Sequence, residues 1–162
     1  MRAAFVVSLR IPSETSVFTA ADVALKLNPI AFAAWPIICA DCGGFYGPKV
    51  WNSTGKYRRT IWQCNSKFKH KCTTPHLDED DIRERFIQAY NTLFADKEKV
   101  IKNAKKQEQT FLIQQFIHAL TKYDHSLTEW DESMWTMTVE MVTVQPDGKL
   151  LFRFQDETVI EN

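Results

Sequence analysis

Four cysteines constrain this chain more than any other feature. Cys39 and Cys42 form a Cys-x-x-Cys pair, Cys64 follows after twenty-one intervening residues, and Cys72 after seven more. Two thiolates three positions apart can grip one ion from a tight turn, and Gly43 behind them supplies the positive φ that such a turn needs. Four thiolates match the tetrahedral preference of Zn²⁺ and leave no open position, so the pattern predicts one structural zinc rather than a catalytic one. His70 and His76 compete for the fourth place; Cys72 is preferred because a four-cysteine set leaves no orphan thiol. Iron would favour two tight Cys-x-x-Cys pairs, and a disulfide or redox pair would leave two cysteines unexplained.

Around these ligands the sequence reads as short strands and turns. Gly43-Gly44, Gly47-Pro48 and Asn52-Ser53-Thr54-Gly55 punctuate aromatic and β-branched residues, and Tyr57 to Cys64 reads as a strand entering the second half of the metal site. Each piece is too short to stand alone, so a cross-link must supply what so small a core cannot.

Charge divides the chain. The 162 residues carry no net charge, yet between Gly43 and Leu77 stand Lys49, Lys56, Arg58, Arg59, Lys67, Lys69 and Lys71 without one Asp or Glu. From Asp78 onward ten basic residues face seventeen acidic ones. A basic module joined to an acidic one points to a polyanionic partner for the first, with self-attraction between the halves as the plainer alternative. Lys49, Lys56, Arg58, Arg59, Lys67, Lys69 and Lys71 are the candidate backbone contacts, because Arg and Lys on a rigid ribbon can neutralise successive phosphates. Tyr57 and Trp62 can stack on bases or pack the ribbon, and for Trp62 packing is the stronger expectation.

Beyond the ribbon, Leu77 to Asp81 opens a helix whose acidic first turn suits the helix dipole, with Ile82, Phe86, Ala89 and Leu93 on one stripe. Lys97 to Gln109 reads as exposed helix or turns. A second stripe at Leu112, Phe116, Ala119 and Tyr123 predicts a helical hairpin. Thr128 to Glu132 caps a short helix through Met134, Trp135 and Thr138. Val139 to Val144, the Pro146-Asp147-Gly148-Lys149 turn, and Leu150, Phe152 and Phe154 predict a β-hairpin forming an edge over the helices. The fold class is α+β, in segments 1–28 (poorly defined), 29–77 (zinc ribbon), 78–127 (helical) and 128–162 (short helix and β-hairpin). In the first segment, Ala3 to Leu9 reads as a strand and Ser16 to Leu27 as a short helix.

No stretch approaches a membrane span, and the opening run lacks the features of a secretory signal, so the expected location is cytoplasmic, with reduced thiols. No carboxylate pair, nucleophile with a base, or phosphate-cradling loop stands out. His118 and His125 read as isolated exposed residues, and Asp41 as a hydrogen-bonding partner within the knuckle.

Trp35 to Gly44, the strand from Tyr57 to Cys64, and Lys71-Cys72-Thr73-Thr74-Pro75-His76-Leu77 resemble the zinc β-ribbon region of large serine recombinases. Phe86, Trp130 to Trp135, Val139 to Val144 and Asp147 to Phe154 are similar to the end of that domain. The resemblance implies zinc ligation by Cys39, Cys42, Cys64 and Cys72, a ribbon facing double-stranded DNA, and helices where such proteins carry an antiparallel coiled coil contacting other recombinase subunits. It also implies a DNA-binding part without the serine catalytic domain, hence no enzyme. The alternative is an accessory module that binds recombinase subunits through its helical hairpin.

Overall fold

The computed structural model describes residues 37–162. The strand read at Ala3 to Leu9 and the helix read at Ser16 to Leu27 lie outside the described residues.

The ribbon consists of β2 (Tyr46–Trp51) and β3 (Arg59–Cys64), antiparallel, with the two-residue β4 (Leu77–Asp78) added to β3. Asn52 takes a left-handed φ of 52° in the connecting turn. The strand begins at Arg59 rather than at Tyr57, because the turn that follows Asn52 still occupies Tyr57, and the Arg58 amide closes it on the Gly55 carbonyl at 3.2 Å. Between β3 and β4 sits a one-turn helix, α1 (Lys67–His70), ended by Lys71 in the left-handed region. The core of this sheet is small: Tyr46, Ile61, Trp62 and Leu77, with Trp62 only 6% exposed. Trp62 is thus a packing residue, as the sequence suggested.

Helix α2 (Glu79–Ala95) leaves β4 with Glu79, Asp80 and Asp81 in its first turn. Ile82, Phe86, Ala89 and Leu93 are all buried, as their spacing requires, and Tyr90 joins them. Asp96 breaks the helix, and α3 (Lys97–Ala104) continues with Val100 and Ala104 buried. The segment is helix followed by turns and mostly exposed, as expected, but Val100 and Ala104, four apart, seat the short polar helix. Helix α4 (Phe111–Lys122) is capped by the Thr110 hydroxyl, which accepts from the Ile113 amide. Its buried face is Ile113, Phe116, Ala119 and Leu120, whereas Leu112 is 42% exposed. The stripe is displaced from the predicted one because Leu112, Ile113, Phe116 and Ile117 offer two overlapping helical periodicities, and only docking against α3 and the following helix chooses between them.

That following helix, α5 (Glu132–Thr138), is capped by the Asp131 carboxylate, which accepts from the amides of Ser133 and Met134. It leads into β5 (Val139–Val144) and, across a turn with Gly148 at φ +87°, into β6 (Leu150–Phe154). This hairpin is the centre of a four-stranded sheet, not an edge: β1 (Ile37–Cys39) pairs parallel to β5, and β7 (Val159–Glu161) pairs antiparallel to β6. Val142, Val144, Leu150, Phe152 and Phe154 are completely buried, so the strands lie under the helices as the main core layer.

Phe86 is the hub of that core. Its ring centroid lies 5.1 Å from Trp135 and 5.4 Å from Trp130, both edge-on, and 6.4 Å from Phe152. Such arrangements match ring edges to ring faces and add to the area buried. Arg85 donates to the Gly148 carbonyl at 2.7 Å, and the Asn162 amide donates to the Arg85 carbonyl at 3.1 Å, so α2 is fastened to the turn end of the sheet, where Asn162 pairs with Leu150. Replacing Phe86 with Ala is expected to lower stability by about 3–5 kcal/mol, while Leu112→Ala stays within about 0.5 kcal/mol, as measured by urea unfolding.

Candidate metal centre and basic ribbon

Local hydrogen bonding explains how the first two cysteines converge. The Gly43 amide returns to the Cys39 carbonyl at 2.9 Å and the Cys39 amide reaches the Gly44 carbonyl at 2.8 Å, with Gly43 at φ +67°. The positive φ expected of Gly43 is therefore present. The Gly44 amide donates to Cys42 Sγ at 3.3 Å; a side chain at Gly44 would press on that sulfur, 3.1 Å away, and on the Ser66 hydroxyl. Cys64 arrives at the end of β3, and Cys72 just past α1.

All four sulfurs lie within 4.8 Å of one another, with Cys42 to Cys64 at 3.5 Å and Cys64 to Cys72 at 3.9 Å. A zinc ion bonded to four sulfurs at about 2.3 Å sets them about 3.8 Å apart, so this donor set fits a tetrahedral Zn²⁺. Cys72, not His70, completes the set; His70 stands exposed on α1. Cys39, Cys64 and Cys72 are buried, which suits a closed structural site.

The surroundings favour a charged metal centre. Burial opposes the thiolate of Cys39, yet hydrogen bonds from the Thr74 hydroxyl, at 3.1 Å, and from nearby knuckle amides outweigh it and lower the pKa. Burial raises Cys64 to about 11 and raises Cys72 as well, so a bound cation would favour the thiolate of both by offsetting that cost. Thr74 is fully buried, its hydroxyl spent on the Cys39 sulfur.

The Asp41 carboxylate reaches out of the knuckle instead of bonding within it. Its Oδ2 accepts from the Thr73 amide at 2.5 Å, the Thr73 hydroxyl at 3.0 Å and the Thr74 amide at 3.1 Å. The Thr73 amide is the leading cause holding its pKa below the usual carboxylate value. This clasp joins the Cys39–Cys42 turn to the chain leaving Cys72. Sequence alone could not reveal it, since Asp41 and Thr73 are thirty-two positions apart. Its contribution is present at neutral pH and is lost as pH falls through the lowered pKa.

The seven candidate basic residues divide into two groups. Lys49, Lys56, Arg58, Lys69 and Lys71 are exposed, on β2, in the hairpin turn and around α1. Lys56 lies over the Tyr57 ring at 5.0 Å. Lys67 is half-buried and donates its ammonium to the Thr74 carbonyl at 2.8 Å, whereas Arg59 is exposed too but pairs with Asp78 at 3.3 Å beside the acidic start of α2. His118 and His125 are exposed, in keeping with the reading of both as plain surface residues.

Purified protein is expected to hold one zinc per chain, and Cys72→Ser to lose it, by elemental analysis. Asp41→Ala is expected to release zinc to a chelator about tenfold more readily, because it removes an outer-shell clasp while leaving all four ligands.

Residues 37–91 match the family model of the recombinase zinc beta ribbon domain. No curated protein and no solved structure matches the chain. Among the described residues no helix is long and apolar enough to cross a membrane. Four thiols converge at tetrahedral spacing within the matched segment, so residues 37–91 are similar to a recombinase zinc beta ribbon domain and fit one structural zinc ion.

Proposed function

We propose that the ribbon binds double-stranded DNA as the non-catalytic DNA-binding module of a serine-type site-specific recombinase. The observation that carries this reading is the acid-free set of exposed cations on a zinc-braced ribbon, within a segment that matches a recombinase domain. A ribbon fixed by a metal spends little conformational entropy on presenting Lys49, Lys56, Arg58, Lys69 and Lys71 to phosphates. Arg59 and Lys67 act differently in this scheme: one is half neutralised by Asp78, and the other holds the Thr74 carbonyl next to the metal. A reducing cytoplasm suits a centre of four thiolates.

The expected signature is electrostatic. Affinity for duplex DNA falls as salt rises, with a logarithmic slope of about −4.5 for five phosphate contacts. Lys69→Ala with Lys71→Ala reduces that slope by about 2. Lys67→Ala leaves the slope nearly unchanged and weakens zinc retention. A flat salt profile would refute the reading.

A second reading rests on Phe111, 70% exposed, and Leu112 beside it, at the start of α4. These residues suit an accessory contact with a recombinase subunit. Sedimentation with and without a full-length recombinase tests it, with Phe111→Ser expected to abolish any association.

A further inference from the structure

Phe68 is 90% exposed, the most exposed of the large apolar side chains among the described residues. It stands on α1, inside the loop bounded by the ligands Cys64 and Cys72. The backbone there is closely held: the His70 amide donates to the Ser66 carbonyl at 3.0 Å, the Cys72 amide to the Lys67 carbonyl at 3.2 Å, and Lys67 is anchored to Thr74. Lys71 closes the turn at a left-handed φ of 51°, a conformation that β-branched or bulky residues rarely adopt. The loop therefore presents one phenyl ring on a stiff support, where no hydrophobic burial accounts for it.

The ring is flanked by exposed Lys69, His70 and Lys71, and no carboxylate lies in sequence between Gly43 and Leu77. A second copy of this cationic surface would be repelled, and an apolar protein groove would have to bury the flanking charges. A partner offering both anionic groups and flat aromatic faces satisfies ring and cations together. We propose that Phe68 is a wedge that enters a base step of duplex DNA while Lys69 and Lys71 hold the flanking phosphates. This rests on the DNA-binding reading above and adds a deformation to it: the ring partly unstacks one step and kinks the duplex, most readily at flexible pyrimidine–purine steps.

The zinc-loaded full chain is titrated against a duplex carrying 2-aminopurine beside a TA step and a donor–acceptor dye pair at its ends. The wild type is expected to raise 2-aminopurine emission and shorten the end-to-end distance. Phe68→Ala is expected to weaken binding about tenfold and abolish both signals while leaving the salt slope unchanged. Phe68→Leu keeps the kink, since an aliphatic wedge also unstacks a step. Because the side chain is exposed, zinc content and melting temperature of both variants should equal those of the wild type. If Phe68→Ala matches the wild type in affinity and emission while Lys69→Ala with Lys71→Ala lowers the salt slope, the wedge is overturned and the phosphate reading stands. Absence of DNA binding by the wild type overturns both. Binding to anionic phosphatidylserine vesicles that depends on Phe68, with DNA binding indifferent to it, also overturns the wedge in favour of a lipid surface.

Discussion

Convergence of four thiolates is the constraint on which the rest of the ribbon depends. Its sheet buries only a handful of large side chains, too few to fix three strands and a turn of helix by hydrophobic burial alone. A structural zinc contributes about 10–16 kcal/mol in small metal-dependent domains, a scale that overtakes such a core. The ion also joins parts that belong to different sheets. Cys39 ends a strand of the four-stranded sheet, while Cys64 ends a strand of the ribbon. Metal binding is thus coupled to the seam between the two sheets.

Around that seam a set of polar clasps does what the sulfurs alone cannot. Asp41 and Thr74 connect the two halves of the ligand set through backbone amides and a buried hydroxyl, and Lys67 braces the second half through the Thr74 carbonyl. Tyr46 belongs with them: its hydroxyl donates to the Pro75 carbonyl at 2.8 Å, and burial keeps the phenol protonated. Each clasp satisfies a polar group that the crowded ligand turns would otherwise leave without a partner. The surface beyond the clasps is thereby freed for exposed cations, and rigidity at the metal becomes preorganisation at the surface.

The two halves of the protein illustrate two ways of obtaining stability. The ribbon relies on coordination, whereas residues from Glu79 onward rely on an aromatic core centred on Phe86 and Trp135 over the β5–β6 hairpin. Helix α2 belongs to both, since it begins at the ribbon strand β4 and buries its stripe in the second core. The acidic residues at its start sit beside Arg59, so charge separation along the chain becomes charge contact at this junction.

Much of this was legible in the residues themselves. The ligand set, the Gly43 turn, the first stripe of α2, the Asp131 cap and the Asp147-Gly148 hairpin are local patterns, each fixed by interactions spanning a few positions. The resemblance to recombinase ribbons likewise rested on short motifs. What tertiary structure alone decided is non-local. Cys39 lies on a strand paired in parallel with Val144, more than a hundred positions away, and that pairing makes the C-terminal hairpin a sheet centre rather than an edge. Helix α4 offered two apolar faces, and its neighbours selected Ile113 and Leu120 over Leu112 and Tyr123. Seven cations look alike in the sequence, yet Lys67 is drawn onto the Thr74 carbonyl and Arg59, although exposed, onto Asp78. Sequence periodicity records which residues are apolar or charged; which carbonyl or carboxylate a side chain meets depends on segments brought together only when the chain folds.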